Sequence, residues 1–277
     1  MRVGLLTGKP DHPLLAATTA LLTADGHLVE TLAPDANQPA NPADVYLLKA
    51  RTPAAISLAR ALEAHGIPVL NSADSTEFCQ DRVHMAQWAD RSSLPFPATI
   101  EWPNLRDLPE QLDGPLVIKS RHSRRDDLVA RVTTLEQLQA LAETWPDEPV
   151  VVQDFAPGTG WDHKLWVVAG KVFAALRHSE LTEGTRQPDR PLTGPHPWAE
   201  LALRTGEAFG LDVYGVDLLE VDGEPLIVDI NAFPGIRGQE GAAQALAARV
   251  LEQIPPRRLS DHARTAAEDR SDAVALR

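Results

Sequence analysis

The chain has 277 residues, with 39 acidic and 26 basic side chains and a formal net charge of −13. This acidic balance argues against a general nucleic-acid binder and against adhesion to an anionic membrane surface, because both need a basic footprint. Hydrophobic residues make up 43% of the chain, which is enough for a sizeable core, and the length suggests about two domains.

Neither a targeting segment nor a membrane span is predicted. The apolar run after Met1 is shorter than the ~7–15 residues of a secretory signal, and no stretch approaches the ~18–20 apolar residues of a membrane helix. The single cysteine, Cys79, cannot form an internal disulfide. It fits a reducing compartment, so we expect a cytoplasmic protein.

The chain up to residue 70 alternates short apolar runs with helical patterns. Strands are predicted at 3–6, 27–32, 45–48 and 67–70, and helices at 13–24 and 53–65. Prolines at the two helix starts and glycines at the two helix ends support these boundaries. The alternation predicts a parallel sheet with helices on both faces.

Beyond residue 70 the pattern becomes richer in strands. A helix is predicted from the capping residues at 71–74 to about residue 89, where prolines end it. Two residue pairs, Ala169-Gly170 and Asp222-Gly223, predict tight hairpin turns. The remaining predicted elements are strands at 116–119, 128–132, 150–155, 165–168, 172–176, 214–221 and 225–230, and helices at 198–209 and 237–253.

A candidate metal site lies in the second hairpin. Side chains alternate along a strand, so Asp229 and Asn231 should share one side, with Val228 on the other. Asp217 lies on the neighbouring strand across the Asp222-Gly223 turn. Two carboxylates and an amide oxygen suit Mg²⁺. The alternative is that these polar residues mark the solvent face of an edge hairpin.

Basic and polar residues elsewhere suggest a nucleotide site. Lys119 ends an apolar strand and Arg82 follows Asp81 on the predicted helix that begins at 71–74, and both are candidate phosphate ligands. Either cation alone would more often be a solvated surface residue. Asp162 and Lys164 share a strand face, which places an acid for ribose hydroxyls beside a cation for phosphates.

The order and spacing of these residues resemble the ATP-grasp superfamily over roughly residues 1–254. The resemblance implies an ATP-grasp fold, of the α/β and α+β classes, with an N-terminal parallel-sheet domain and two α+β lobes that hold ATP between them. It divides this part of the chain into an N-terminal domain (1–72), a linker helix with a central lobe (73–155) and a C-terminal lobe with the metal site (156–254). The remaining residues, 255–277, are polar with few large apolar side chains, which predicts a flexible tail.

The resemblance also implies roles for individual residues. ATP phosphates would bind Arg82 and Lys119, and Arg177 and Lys164 would act on the transferred phosphoryl group. The adenine and ribose would be contacted by Gln153, Asp154, Phe155 and Asp162. Magnesium, with two ions expected, would be held by Asp217, Asp229 and Asn231.

Two branches of the superfamily predict different acceptors. The segment Gly235-Ile236-Arg237-Gly238 is similar to RimK-type glutamate ligases, which activate a carboxylate as an acyl phosphate for attack by an amine. Lys9 and Lys49 resemble substrate contacts of the ATP-grasp inositol polyphosphate kinases. We therefore predict a ligase for a small-molecule or peptide carboxylate, with Lys9, Lys49, Gly235, Arg237 and Gly238 binding substrate. A kinase acting on an inositol-phosphate-like hydroxyl is the alternative.

One segment departs from both branches. The loop at 120–127, which should cover the phosphates, contains no glycine and is rich in arginine. It is either a solvated mobile lid or a basic patch that grips ATP phosphates or an anionic acceptor. Its composition motivates a third hypothesis, a nucleotide-binding module with little catalysis. The resemblance further suggests a cleft that is positive although the chain is acidic.

Overall fold

The computed structural model describes residues 1–108, 112–124, 126–182, 185 and 187–253. Within these ranges no helix is both long and apolar enough to cross a lipid bilayer. The predicted tail at 255–277 and one residue of the predicted lid, Arg125, lie outside the described part. The division of the chain at residues 72, 155 and 254 stays a prediction.

The predicted parallel sheet is present at the N-terminus, with strand order β2-β1-β3-β4. Both helices of this region begin at a proline, and the Thr52 hydroxyl caps the second one by accepting from the Ala55 N–H at 3.2 Å. The elements are β1 (Arg2–Leu6), α1 (Pro13–Ala24), β2 (Leu28–Leu32), β3 (Val45–Leu48), α2 (Pro53–Ala64) and β4 (Val69–Leu70).

The single helix predicted from residues 71–74 to 89 was wrong, because the chain forms two helices there. They are α3 (Ala73–Phe78) and α4 (Arg82–Arg91). The break occurs because Asp81 forms a bridge with His122, and the Arg82 N–H donates to the Arg121 carbonyl at 2.9 Å. The Asp81 carboxylate then caps α4 by accepting from the Val83 N–H at 2.9 Å.

The central region forms a four-stranded antiparallel sheet with order β5-β8-β6-β7. The sequence pattern missed β5, which has only three residues and pairs at the sheet edge. Its elements are β5 (Ile100–Trp102), β6 (Leu116–Ser120), β7 (Val129–Val132), α5 (Leu135–Thr144) and β8 (Val150–Asp154).

The C-terminal region forms a five-stranded antiparallel sheet with order β11-β10-β9-β12-β13. Both predicted hairpin turns are present. All four turn residues of Ala169-Gly170 and Asp222-Gly223 have positive φ, between +50° and +85°, as this turn type requires. The elements are β9 (Trp161–Val168), β10 (Lys171–His178), β11 (Arg190–Leu192), α6 (Ala199–Phe209), β12 (Val213–Val221), β13 (Glu224–Ala232) and α7 (Ala242–Glu252).

This region differs from the prediction in three places, the first being that β9 begins at Trp161 instead of residue 165. The last helix begins at Ala242 instead of residue 237, because Gly241 adopts a left-handed backbone with φ +84° immediately before it. The short strand β11 was not predicted, since it contains Pro191 and pairs only at the sheet edge.

The N-terminal and C-terminal sheets share one hydrophobic core and one buried polar clamp. Leu5 and Leu15 belong to the same apolar cluster as Trp166 and Phe233. The fully buried Asn71 side chain donates to the Val213 carbonyl at 2.7 Å and accepts from two backbone N–H groups of residues 212–213 at 2.8 and 2.9 Å. These bonds fix the N-terminal sheet against the start of β12.

We expect Asn71→Ala to lower the free energy of unfolding by about 2–4 kcal/mol, because it leaves the backbone N–H groups of residues 212 and 213 without partners. Asn104→Ala, which removes one hydrogen bond to the Asp107 side chain near the surface, should cost less than about 0.5 kcal/mol. Urea unfolding of both variants measures the difference. Equal losses in the two variants would show that Asn71 does not clamp the sheets.

Candidate active site

A cavity of about 650 Å³ lies between the central and C-terminal sheets. It gathers nearly all of the residues predicted to bind ATP and magnesium. Asn231 is the exception, since it does not line the cavity and instead contacts a residue that does. The predicted residues that line it are Arg82, Lys119, Gln153, Asp154, Phe155, Asp162, Lys164, Arg177, Asp217 and Asp229.

The two candidate metal carboxylates face each other because of a β-bulge. Along the hairpin, Leu218 pairs with Ile227 but Asp217 pairs with Asp229, so Val228 is the extra residue. Without this bulge, Val228 would lie opposite Asp217. Val228 itself lines the cavity. The prediction that it faces the other side of the strand was therefore wrong, because the bulge rotates the chain at this point.

Asp229 is kept ionised by the surrounding cations. Burial alone would raise its pKa, but Arg82, Lys119 and Lys164 outweigh burial and keep the pKa below its ordinary value. The Asn231 amide donates to Asp229 Oδ2 at 3.0 Å. Asp229 is therefore a carboxylate at neutral pH and is suited to a cation.

The donor set fits magnesium by its chemistry. Asp217 and Asp229 offer carboxylate oxygens from adjacent strands, and Asn231 offers an amide oxygen on the same strand as Asp229. The described residues contain no group of three or more His, Cys, Asp or Glu side chains arranged for a metal. The predicted set has only two such side chains, so bound phosphates and water would have to complete the coordination.

Two buried cations lie on the opposite wall. Lys119 Nζ donates to the Val228 carbonyl at 2.9 Å, and burial lowers the pKa of Lys119 to about 8. Arg82 donates to the Asp127 carboxylate at 2.7 Å, while its buried Nε has no hydrogen-bond partner and lies 4.0 Å from Asp229 Oδ1. Asp127 was not identified from the sequence, because it lies 45 residues from Arg82.

Three further charges lie on β9 and β10, and one of them contacts Asp217 on β12. Lys164 Nζ donates to Asp217 Oδ2 at 2.6 Å. Asp162 pairs in register with Arg177, whose buried Nε has no hydrogen-bond partner. Burial, helped by the charge of Asp217 and opposed by a hydrogen bond from Ser179, raises the pKa of Asp162 to about 6.

At the end of the cavity that is predicted to bind adenine, the polar groups already form hydrogen bonds within the protein. The Gln153 amide donates to Thr99 Oγ1 at 2.8 Å, and the Phe155 N–H donates to the Pro115 carbonyl at 3.0 Å. The Arg131 guanidinium lies 4.0 Å from the centre of the Phe155 ring. Phe155 therefore offers its ring rather than its N–H, and Arg131 is a cavity residue that the sequence analysis missed.

The lid arginines that the structure describes, Arg121 and Arg124, both form ion pairs. Arg121 pairs with Asp81 at 2.8 Å and also with Glu101, and Arg124 pairs with Glu148 at 2.7 Å. The prediction of a basic patch was therefore wrong for these two residues, because each is matched by an acid distant in sequence. The lid is held to the body of the protein.

The cavity is also not positive, contrary to the expectation from the sequence. Its lining carries five cationic and five acidic side chains. Two of the acids, Asp217 and Asp229, were predicted to bind magnesium, but in this structure they pair with Lys164 and Arg82. The cations are Arg82, Lys119, Arg131, Lys164 and Arg177, and the acids are Asp154, Asp162, Glu180, Asp217 and Asp229.

The residues predicted to bind substrate do not line this cavity. Lys49 Nζ donates to the Phe233 carbonyl at 2.6 Å, which brings Lys49 to the segment that carries Gly235, Arg237 and Gly238. Lys9 and Arg237 are exposed, and both lie close enough to Lys49 to lower its pKa. These residues form a separate group, and their predicted role stays a prediction.

We expect Asp162→Asn to stabilise the protein above pH 6. A carboxyl group with a raised pKa costs stability as the pH rises from about 4 to 6, whereas asparagine does not ionise. After allowance for solvent screening, the gain should be about 1 kcal/mol, or about 2–4 °C in Tm. Thermal unfolding at pH 7.5 and 4.5 measures it.

The gain should shrink at pH 4.5, where Asp162 in the unchanged protein is largely protonated. The matched control is Asp154→Asn, which alters an exposed carboxylate at the cavity rim and should give no such pH-dependent gain. If Asp162→Asn and the unchanged protein had the same Tm at both pH values, the assigned burial of Asp162 would be contradicted.

Comparison with known proteins agrees with this geometry. Residues 102–254 match the family model described as a RimK-like ATP-grasp domain. A "Probable alpha-L-glutamate ligase 2" of Shewanella sp. (strain MR-4) is 26% identical over 211 residues, which cover 70% of each chain.

Two solved structures share the fold. A RimK domain protein ATP-grasp from Sphaerobacter thermophilus DSM 20745 has a TM-score of 0.75 at 24% identity, over 91% of this chain and all of that one. D-alanine–D-alanine ligase from Bacillus anthracis, complexed with ATP, has a TM-score of 0.68 at 18% identity, over 92% and 96%. These matches confirm the predicted ATP-grasp fold. Since the family model covers more than half of the chain, the protein belongs to the RimK-like ATP-grasp family.

Proposed function

We propose that this protein is an ATP-dependent ligase that joins a carboxylate to an amine through an acyl phosphate. The observation that carries the proposal is the cavity in which Lys119 and Arg82 face Asp217 and Asp229. Phosphoryl transfer depends mainly on positioning and on charge stabilisation, and this cavity supplies fixed charges of both signs. The curated relatives named as probable glutamate ligases support a ligase as the class.

The proposed reaction has two steps. An oxygen of the substrate carboxylate attacks the γ-phosphorus of ATP, the bond to the bridging oxygen breaks, and ADP leaves. The amine nitrogen then attacks the carbonyl carbon of the acyl phosphate, phosphate leaves with the bonding electrons, and the nitrogen loses a proton. The products are an amide, ADP and phosphate.

Each cavity residue has a proposed task. Lys119 and the unpartnered Nε of Arg82 bind phosphate oxygens, and Arg177 stabilises the group in transfer. Lys164, held by Asp217 at 2.6 Å, lies beside the acids and binds the same group. Magnesium, when bound to Asp217, Asp229 and Asn231, would neutralise charge on the phosphates.

The adenosine part of ATP is proposed to bind at its end of the cavity through stacking of the base and contacts to the ribose. The Phe155 ring, already covered on one side by Arg131, offers a flat apolar surface to a base. Asp162, whose buried Oδ1 has no hydrogen-bond partner, accepts from a ribose hydroxyl. Asp154 lies exposed at the rim and contributes least.

The fate of the γ-phosphate tests the proposal. ATP labelled in its γ-phosphate should release the label as free phosphate when a carboxylate and an amine are supplied, and hydroxylamine should trap the acyl phosphate as a hydroxamate. Amino acids, short peptides and inositol phosphates form the acceptor panel. Label retained on an acceptor hydroxyl would identify a kinase, and no acceptor-dependent ADP release would identify a binding module.

We expect Asp229→Asn to lower kcat by about 100-fold or more, because it removes a carboxylate from the phosphate end of the cavity. The same change should raise the magnesium concentration needed for half-maximal ADP release. Asp222→Asn is the matched control, since it makes the same replacement at the exposed turn of the same hairpin. Unchanged turnover in Asp229→Asn, with its circular dichroism intact, would refute the metal assignment.

A further inference from the structure

Two hydrogen bonds in series join the Gln153 side chain to the backbone before β5. Gln153 Nε2 donates to Thr99 Oγ1 at 2.8 Å, and Thr99 Oγ1 donates to the Pro97 carbonyl at 2.9 Å. Gln153 and Pro97 line the cavity, whereas Thr99 is not among the described residues that do. We call Thr99 and Pro97 the amide support.

The register of the central sheet brings Thr99 to Gln153. Strands β5 and β8 are antiparallel, and Ile100 pairs with Val152. The next position on each strand puts Thr99 opposite Gln153, where side chains on the same face of a sheet meet. The contact is therefore a consequence of strand pairing, although the two residues are 54 positions apart.

The loop that carries Pro97 is anchored at a second point. The Pro95 carbonyl accepts from the Ile227 N–H of β13 at 2.8 Å, so the loop is tied to the C-terminal sheet as well as to β5. Each of its two prolines also has a fixed φ angle. The Pro97 carbonyl is thus held in place, and it gives the Thr99 hydroxyl a fixed direction.

The Thr99 hydroxyl decides which end of the Gln153 amide faces it. A hydroxyl has a single proton, and here that proton goes to a carbonyl, which can only accept. Toward Gln153 the hydroxyl therefore acts only as an acceptor. The amide nitrogen must point at Thr99, and the amide oxygen Oε1 is turned away from it.

Gln153 Oε1 is an unused acceptor. Among the described residues none donates to it, and it is not one of their solvent-shielded polar atoms that lack a partner. The oxygen is therefore reachable from the cavity that Gln153 lines. Because the Gln153 residue is only 5% exposed, a donor can approach this oxygen from few directions.

The unused acceptor lies beside the surface proposed to stack a base. Phe155 follows Gln153 by two positions, so both side chains lie on the same side of the strand, and both line the cavity. A base on the Phe155 ring therefore has an edge near Gln153 Oε1. The Phe155 N–H is already committed to the Pro115 carbonyl, which leaves the glutamine side chain to contact that edge.

We propose that Thr99 is a positioning residue that makes the cavity select purines with an exocyclic amine, by fixing Gln153 Oε1 as an acceptor. Adenine has an amine at C6, which donates to this oxygen. Hypoxanthine and guanine have a carbonyl oxygen there, which repels it. The inference rests on the proposed function, because that function makes ATP the nucleotide, but nucleotide binding tests it without turnover.

The first test compares ATP with inosine triphosphate, whose base has a carbonyl in place of the amine. Calorimetric titration of the unchanged protein, with magnesium and without acceptor, gives both affinities. ATP should bind at least about tenfold more tightly, because the carbonyl leaves Gln153 Oε1 facing a second acceptor. Equal affinities would overturn the proposal.

Thr99→Val should reduce the preference for ATP over inosine triphosphate to about threefold or less. Valine keeps the branched shape but offers no acceptor, so the Gln153 amide is free to turn and present its nitrogen to a carbonyl. A purely structural change would weaken both nucleotides equally. An unchanged ratio of the two affinities would therefore overturn the proposal.

Two further variants control for the substitution. Thr99→Ser keeps the hydroxyl and should keep the preference of the unchanged protein; loss of the preference in this variant would overturn the role of the hydroxyl. Thr144→Val is the matched control, because Thr144 is exposed on α5 and its hydroxyl also donates to a backbone carbonyl, at 2.9 Å. It should keep the preference, and circular dichroism checks the fold of each variant.

Binding and turnover separate this inference from the proposed function. Equal binding of ATP and inosine triphosphate with normal ligase turnover would overturn the inference and leave the ligase intact. A preference for ATP that depends on Thr99, without any carboxylate-dependent phosphate release, would support the inference and refute the ligase.

Discussion

The β-bulge at Val228 is the constraint on which the candidate site depends. It shifts the register of β12 and β13 by one residue, so that Asp217 and Asp229 lie opposite each other. The same bulge leaves the Val228 carbonyl without a ladder partner, and Lys119 Nζ donates to it at 2.9 Å from the other sheet. One extra residue thus aligns the two acids and positions the cation that faces them.

The charged side chains beside the bulge stabilise one another. A buried ion without an oppositely charged partner destabilises a protein. The cavity lining carries ten charged side chains, five of each sign. Arg82 donates to Asp127, and Lys164 donates to Asp217. These acids therefore take up hydrogen bonds that phosphate oxygens would otherwise accept. Asp217 and Asp229, which would hold magnesium, are therefore the same residues that pair with the cations proposed to bind the phosphates.

Local chemistry explains which features the sequence predicts well. The Asp222-Gly223 turn brings β12 and β13 together because its backbone preferences act over two residues, and the candidate acids follow from it. The bulge was not predictable, since nothing in the local pattern marks Val228 as an extra residue. The break between α3 and α4 was also missed, because it depends on pairing between Asp81 and His122, 41 positions apart.

Long-range ion pairs also explain why composition misjudged the cavity and the lid. Counting the charges within the loop at 120–127 predicted a basic lid. Arg121 and Arg124, however, form ion pairs with acids in other segments. Within the described ranges, Lys9, Arg51 and Arg237 form no ion pair, and they lie in short loops after β1, β3 and β13, where no single segment looks basic. Net charge describes the sum over the chain, whereas an anion responds to the cations that folding leaves unpaired. In this chain such cations surround Lys49, which donates to the Phe233 carbonyl just beyond the strand that carries Asp229 and Asn231.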